Sequence, residues 1–338
     1  MRECGLFSSR ACRLTIVTDV LVVGDANPDL ILAGDVVPRF GQAEQLLSAA
    51  DLVIGGSGGI LSHGLARLGR PTRLVATTGA DVLGDLMERL LGAGGVDTSA
   101  LVRDPDASTG ITVALAAPDD RAILTHVGAI PRLSLAHARS ALDRAARDGA
   151  RHVHVASYFL LTGLAPDLPE LLAEAQARGL TTSLDTNFDP AEQWAGVTDA
   201  LAHLDLLLPN RTEVLALAGR LTEEQPTDAE VAALALAARG PVVVVKDGAD
   251  GALRADPAGA VLREPGTAVV PVDGTGAGDS FDAAYLDAFL DGLAPDECLR
   301  RACLAGAIST SALGGTAGQP TRDQLSPPER DADVLRQH

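Results

Sequence analysis

Short runs rich in apolar residues alternate along this chain with longer Ala- and Leu-rich stretches that have helical spacing. Runs of this kind are typical of strands buried on both faces of a sheet. They lie at 19–23, 72–78, 152–157, 181–185, 204–209 and 241–246. Helices are predicted over 58–68, 81–92, 134–148, 167–178, 190–202, 211–218 and 228–239. This order predicts an α/β fold, a doubly wound and mainly parallel sheet flanked by helices.

Two segments depart from this alternation. Residues 111–127 have the pattern of two strands joined by a turn at 118–120, and residues 31–40 are strand-like. We expect both to form a small β lid over the sheet edge where ligands enter. The prediction is then a single domain over 18–326, preceded by a disordered extension over 1–17 and followed by a frayed tail over 327–338.

Charge and cysteine content narrow the class of protein. The formal charge of −18 disfavours nucleic acid as a partner, although backbone N–H groups and a metal ion can still hold a phosphorylated cofactor. The four cysteines have no CxxC spacing, which favours reduced thiols and a cytoplasmic location. No stretch has the pattern of a signal peptide or the length of a membrane span.

The strongest chemical signal is the segment VDGTGAGDSFDAAYLDAFLDG at 272–292. Its second half has apolar residues at i, i+3, i+4, i+7 and i+8, which predicts a helix. The loop of Gly276, Ala277 and Gly278 therefore opens directly into a helix N-terminus. Small side chains let a ligand approach the backbone, and the unpaired N–H groups attract anions. This loop is predicted to bind a transferring phosphoryl group.

Asp279 follows this loop directly. A carboxylate beside an anion site could accept a proton from an attacking hydroxyl while the loop stabilises the developing charge. For an isolated Gly-rich turn followed by Asp, a plain N-cap is the favoured interpretation. The rest of the chain favours the catalytic interpretation.

Other phosphate-binding motifs do not occur in the sequence. A P-loop needs GK[ST], but Asp247 follows Lys246, which is the only lysine. A dinucleotide fingerprint needs Gly where Asp279 stands, which argues against an NAD-dependent reductase. Neither HRD nor DFG of protein kinases is present. The histidines of HVH at 152–154 have no evident third ligand, so a structural role is favoured over a metal site.

Seven elements in order resemble the ribokinase-like (PfkB) carbohydrate kinases, over about residues 19–325. They are GDANPDL (24–30), PRFGQ (38–42), GGSGGILSHGLARLG (55–69), DTNFDPAEQW (185–194), LPNRTEVLALAG (208–219), VVVKDGADGAL (243–253) and VDGTGAGDSF (272–281). A single motif would not distinguish membership of this family from chance similarity. Seven motifs that follow one another in the same order as in the family make chance similarity improbable.

The resemblance implies phosphoryl transfer from ATP, with Mg²⁺, to a hydroxyl of a sugar or sugar-like substrate. Asp279 is the implied general base, and Gly276, Ala277 and Gly278 are the implied anion hole. The implied substrate-binding residues are Asp29, Gly55, Gly56, Ser57 and Asn187. The implied ATP-binding residues are Asn210, Glu213, Lys246, Gly248, Gly251 and Thr275. Glu213 would hold Mg²⁺ through water, Asp273 and the 314–315 region would hold K⁺, and paired lids would form a homodimer.

The residues themselves leave simpler alternatives open. Asp29 could be a solvated residue at a strand end, and Gly55–Gly56 a tight turn. Asn210 and Glu213, three apart at a helix start, could be a cap and a solvated acid of the first turn.

Several departures from the family pattern bear on the substrate and the nucleotide. Ser57 and Ile60 stand where ribokinases proper have Lys and Asn, so ribose is not the implied substrate. Asp189 replaces a common Arg, which argues against an anionic substrate. Cys303 replaces an Asn common near the adenine, and Gln42 replaces an acid. The alternatives are a nucleoside or pseudouridine kinase and a non-catalytic sugar-binding regulator.

Overall fold

Fourteen strands in three sheets and ten α-helices make up the part of the chain described by the computed structural model, which is residues 17–41, 44–116, 121–222 and 225–326. The strands are β1 (Val20–Val23), β2 (Asn27–Gly34), β3 (Leu47–Gly55), β4 (Thr72–Val75), β5 (Thr77–Gly79), β6 (Val102–Asp104), β7 (Ile111–Ala116), β8 (Arg121–His126), β9 (His152–Val155), β10 (Thr181–Leu184), β11 (Leu206–Leu207), β12 (Val242–Lys246), β13 (Ala252–Ala255) and β14 (Val261–Glu264). The helices are α1 (Ser57–Arg67), α2 (Val82–Ala93), α3 (Leu135–Arg147), α4 (Leu168–Ala177), α5 (Val197–Ala200), α6 (Arg211–Ala218), α7 (Ala229–Ala237), α8 (Ala277–Leu290), α9 (Pro295–Ser309) and α10 (Arg322–Leu325).

The main sheet has eight strands in the order β14-β13-β12-β11-β10-β9-β1-β4. The six strands from β12 to β4 are parallel, and β13 and β14 add an antiparallel edge. The predicted α/β class and mainly parallel sheet are therefore confirmed. Because the carboxyl ends of parallel strands meet at one edge, the loops after β1, β10 and β12 lie together there.

Hydrophobic residues cover both faces of this sheet. In β1, Leu21 and Val23 belong to the cluster packed by α3, α4, α6 and α7, whereas Val20 and Val22 belong to the cluster packed by α1, α2, α8 and α9. Such alternation explains why the strand is apolar at every position. The two clusters fix the helices whose N-termini meet at the carboxyl edge.

A second, small sheet has four strands in the order β3-β2-β7-β8. β2 pairs parallel with β7, and β7 pairs antiparallel with β8. The predicted turn at 118–120 of this hairpin lies outside the described residues, as do residues 1–16, Gln42 and the predicted tail over 327–338. The remaining two strands, β5 and β6, pair in parallel and form a third sheet.

Two local predictions were wrong. The strand predicted over 31–40 is instead β2, which ends at Gly34 with φ 112° and pairs with β3, a strand that was not predicted. The helix predicted over 190–202 is only α5 and one following turn. The carboxylate of Asp189 accepts hydrogen bonds from the N–H groups of Ala191, Gln193 and Trp194, which holds that segment in a turn.

None of the helices in the described ranges is both long enough and apolar enough to cross a membrane.

Candidate active site

Helix α8 begins at the centre of the site. Its N-cap is Gly276, in the left-handed region with φ 70°, and an added Cβ there would lie 2.7 Å from Cα of Gly315. Within the described part of the chain, no group accepts a hydrogen bond from the N–H of Gly276, Gly278 or Asp279, whereas Ala277 N–H contacts the carbonyl of Gly274 at 3.3 Å. These N–H groups and the helix dipole can bind an anion.

Asp279 occupies the first turn of α8, so the simple N-cap interpretation is wrong. Its carboxylate is buried and contacts the hydroxyl of Ser57, the first residue of α1. Burial raises the pKa of Asp279 to about 7, with Asp185 adding to this effect and the Ser57 hydrogen bond opposing it. A carboxylate with this pKa can exchange a proton near neutral pH.

Asn187 joins this group from the loop after β10. Its Nδ2 donates to Oγ of Ser57 at 3.0 Å, and its Oδ1 accepts from the N–H of Ser157 at 2.8 Å. The structure thus brings three predicted residues, Ser57, Asn187 and Asp279, into one hydrogen-bonded chain.

Asp29 lies inside β2 and is buried, so the alternative of a solvated residue at a strand end was wrong. Its Oδ1 accepts from Nδ2 of Asn27 at 3.2 Å, and Asn27 also donates to Oγ1 of Thr112 at 3.1 Å. Burial, and then Asp25, raise the pKa of Asp29 to about 7. An added Cβ on Gly55 would lie 1.9 Å from Oδ1 of Asp29, so the carboxylate occupies space that only glycine leaves free.

Gly56 is the N-cap of α1, with φ 73°. The carboxylate of Asp25 accepts from Gly58 N–H at 2.9 Å, in the first turn of that helix. A buried acid thus stabilises the N-terminus that carries Ser57. Asp25 was not predicted as a site residue, although it lies in the segment 24–30 together with Asn27 and Asp29.

Lys246 ends β12 and lies, with 11% of its side chain exposed, between two carboxylates that were not among the predicted site residues. Its Nζ lies 2.8 Å from Oδ2 of Asp185 and 2.9 Å from Oδ2 of Asp282. Burial alone would lower the pKa of Lys246, but Asp185, Asp282 and Glu213 together hold it above its ordinary value. Burial raises the pKa of Asp282, whose Oδ1 has no hydrogen-bond partner among the described residues.

Asn210 and Glu213 form a reciprocal capping box at the start of α6. Glu213 N–H donates to Oδ1 of Asn210 at 3.0 Å, and Asn210 N–H donates to Oε2 of Glu213 at 2.8 Å. The cap interpretation is confirmed, but the solvated acid was wrong, because Glu213 is only 3% exposed. Burial, and then Asp185, raise its pKa to about 7.

A cavity of about 550 Å³ opens beside the first turn of α8. It is lined by predicted residues (Lys246, Gly248, Gly251, Ala277, Gly278) together with Ala249, Gly266, Thr267, Ala268, Val269, Pro271, Phe281, Cys303, Gly306, Ala307 and Thr310. The predicted ATP residues Asn210, Glu213 and Thr275 are not in this lining. Segment 266–271 was missed, because it lacks charged residues and has no strand or helix pattern. The size and the largely apolar walls suit a nucleotide.

Asp273 ties the loop before α8 to the turn after α9. Its Oδ1 accepts from the N–H and Oγ1 of Thr275 at 2.9 and 2.7 Å, and its Oδ2 accepts from Gly314 N–H at 2.8 Å. No group of three or more His, Cys, Asp or Glu side chains among the described residues could by itself hold a metal ion. His152 and His154 are buried neighbours that both contact Oγ of Ser183, at 2.6 and 2.7 Å, in agreement with a structural role.

Comparison with known proteins gives a consistent result. The sequence model of the pfkB family carbohydrate kinases matches residues 17–322. The chain is 26% identical over 307 residues to a ribokinase of Bacillus subtilis, covering 91% of this chain and 98% of the relative. It is 30% identical over 310 residues to an ATP-dependent ribose-1-phosphate kinase of Halopiger xanaduensis, covering 91% and 96%.

The fold also matches solved structures. The structure of Arabidopsis thaliana ribokinase complexed with ribose and ATP superimposes with a TM-score of 0.76 at 24% identity, covering 91% of this chain and 97% of that one.

Proposed function

The chain belongs to the pfkB family of carbohydrate kinases, and we propose that it transfers the terminal phosphoryl group of ATP to a hydroxyl of a small sugar or sugar-like substrate, with Asp279 as the general base. One observation carries this proposal. The buried carboxylate of Asp279 sits in the same helical turn as free backbone N–H groups and beside the 550 Å³ cavity. A base and an anion site in one turn are what hydroxyl phosphorylation requires.

In the proposed reaction, ionised Asp279 accepts the proton of the substrate hydroxyl as its oxygen attacks the terminal phosphorus. The bond from that phosphorus to the bridging oxygen breaks, and ADP leaves. The pKa of about 7 supports this role, because a base near the working pH combines sufficient ionisation with sufficient basicity.

The N–H groups of Gly276 and Gly278 would stabilise negative charge on the transferring group, with Ala277 continuing the same turn. Mg²⁺, when bound, would neutralise charge on the triphosphate. Glu213 would hold it through water, since Mg²⁺ usually keeps several waters and uses only one or two carboxylates. The absence of a closed carboxylate cluster among the described residues fits that arrangement.

ATP would lie in the cavity against Gly248 and Gly251, with Lys246 near its phosphates. Thr275 and Asn210, which do not line the cavity, would support the loops that bind the nucleotide. We further propose that Asp273 helps to hold K⁺, because it joins the loop before α8 to the turn at Gly314.

The substrate would bind between the small sheet and the main domain, against Asp29, Gly55 and Gly56. Asp29 would accept hydrogen bonds from its hydroxyls, and the small sheet would exclude water that could otherwise take the phosphoryl group. The nearby carboxylates of Asp25 and Asp279 would disfavour an anionic substrate.

A nucleoside is a second candidate substrate. Phe188 directly follows Asn187, is 52% exposed, and contacts Trp194 edge-on with ring centroids 5.5 Å apart. A half-exposed aromatic ring beside the site could stack on a base.

The test is ADP release from ATP–Mg²⁺ with pentoses, hexoses, deoxy-keto acids and nucleosides, for the wild type and Asp279→Ala. We expect turnover of one compound class and a loss of at least roughly 10³-fold in the variant. Parallel assays in K⁺ and in tetramethylammonium test the monovalent cation, for which equal rates would exclude activation.

Turnover that survives in Asp279→Ala would show that another group is the base. Well-folded protein that binds a sugar but turns over no compound would favour a regulator. Preference for nucleosides, lost in Phe188→Ala, would establish the second candidate.

A further inference from the structure

The first residue of α1 contacts the proposed base. Oγ of Ser57 lies within hydrogen-bonding distance of Oδ1 of Asp279, although 222 positions separate the two residues in the chain. An ionised carboxylate can only accept hydrogen bonds, so the hydroxyl of Ser57 must be the donor.

Asn187 fixes the direction of that hydrogen bond. The N–H of Ser157 can only donate, and it lies 2.8 Å from one amide atom of Asn187, which must therefore be the oxygen. The amide nitrogen then faces Ser57 and donates to Oγ at 3.0 Å. Because Ser57 accepts this bond, its single proton is left for Asp279.

The position of Asn187 is itself constrained. Its backbone is left-handed, with φ 55°, a conformation that Asn tolerates better than most residues. Its N–H donates to Oδ1 of Asp185 at 3.2 Å, and Oδ2 of Asp185 binds Nζ of Lys246 at 2.8 Å. A continuous chain of hydrogen bonds therefore runs from the wall of the nucleotide cavity to Asp279.

Resting on the assignment of Asp279 as the base, we propose that Ser57, oriented by Asn187, is a positioning residue that holds Oδ1 of Asp279 and leaves Oδ2 to accept the proton of the substrate hydroxyl. The sequence motif placed Ser57 and Asn187 among the substrate-binding residues. In the arrangement proposed here they act on the substrate through the carboxylate. This hydrogen bond also stabilises the charged form of a carboxyl group that burial would otherwise keep neutral.

Direct titration of Asp279 tests this without any substrate. The full-length protein is labelled with ¹³C at aspartate carboxyl carbons, and the Asp279 resonance is identified by its loss in Asp279→Asn. Its midpoint is then measured from pH 5.5 to 9 in the wild type, Ser57→Ala, Asn187→Asp and Ser62→Ala. The other charged groups around Asp279, which are Asp185, Lys246 and Asp25, are the same in the wild type, Ser57→Ala and Ser62→Ala, whereas Asn187→Asp adds one carboxylate.

We expect Ser57→Ala to raise the midpoint by roughly one pH unit, because a hydrogen bond to the charged form is lost. Asn187→Asp should also raise it, since a carboxylate would take the Ser57 proton for itself. Ser62→Ala is the matched control: Ser62 lies in the same helix and bonds the carbonyl of Gly58 at 2.6 Å, so its removal should not move the midpoint. Ser57→Thr, which keeps the hydroxyl, should restore the wild-type value.

Equal midpoints in the wild type and Ser57→Ala would overturn the proposal, as would an equal shift in Ser62→Ala. Because the titration measures Asp279 itself, this result is independent of the kinase assay. Phosphorylation surviving in Asp279→Ala would instead overturn the base assignment on which the proposal rests.

Discussion

Lys246 shows how one side chain can have both a structural role and a functional role. Its ammonium binds Asp185 and Asp282, and both Nζ and Cδ lie 3.7 Å from where a Cβ on Gly278 would be. The same residue therefore neutralises a buried acidic pair and forms part of the wall beside the anion site. A substitution at Lys246 therefore has to be designed so that its effect on stability and its effect on nucleotide binding can be measured separately.

We expect Lys246→Met to lower the free energy of unfolding by about 3–5 kcal/mol, because two buried carboxylates lose their cation. The double variant Lys246→Met with Asp282→Asn should recover most of that stability, since one charge is removed. If Lys246 also contacts the phosphates of ATP, the double variant should still have a KM for ATP raised roughly tenfold or more.

Thermal unfolding and steady-state kinetics measure the two roles separately. Asp282→Asn alone is the control for the second substitution. If KM and kcat are unchanged in the stable double variant, Lys246 has only a structural role and does not contact the phosphates of ATP.

At the scale of elements, the pairing of β2 with β3 places Asp29 over Gly55. We expect Gly55→Ala to displace the carboxylate, because its Cβ would lie 1.9 Å from Oδ1 of Asp29. The expected result is a loss of at least roughly 10²-fold in kcat/KM for the sugar substrate and about 1–3 kcal/mol of stability.

Gly92→Ala is the matched control. Gly92 lies in α2 with nothing within 4 Å of an added Cβ, so Ala should raise stability by about 0.5–1 kcal/mol and leave the kinetics unchanged. Full activity in Gly55→Ala would mean that the exact position of Asp29 does not matter for phosphorylation.

The elements of the main sheet were predictable because their signals are local. β1 is apolar at all four positions and β12 at its first four, a pattern typical of strands buried on both faces. β3 was missed because LSAADLVIG is mostly exposed and has no such run. The helix predicted after Asp189 failed because a single carboxylate, by binding three backbone N–H groups, outweighs the helical pattern.

In the site, as in the fold, the features with local sequence signals were predictable and the contacts between distant segments were not. Asp279 and the loop before it are contiguous, so their chemistry can be inferred from spacing. The contacts of Ser57 with Asp279, and of Lys246 with Asp185, join distant parts of the chain. No local pattern contains that information.

At the scale of the whole molecule, side chains along each strand of the small sheet alternate between its two faces, and the face directed away from the site carries apolar residues. Asp29 and Thr112 lie on the face towards the site, so Leu52 and Leu124, at positions of the opposite parity, lie on the other. Leu52 is 41% exposed and Leu124 is 61% exposed. Such faces usually mark interaction sites.

We therefore expect the chain to form a homodimer in which the outer faces of two small sheets pack together. Sedimentation velocity at micromolar concentration should show a dimer for the wild type and a monomer for Leu52→Asp with Leu124→Asp, since unpaired carboxylates in an apolar interface are costly. Leu262→Asp, on strand β14 of the main sheet, introduces a single carboxylate at a residue whose exposure is close to that of Leu52, and this variant should remain dimeric. A monomeric wild type, or a dimer that persists in the double variant, would mean that this face does not mediate self-association.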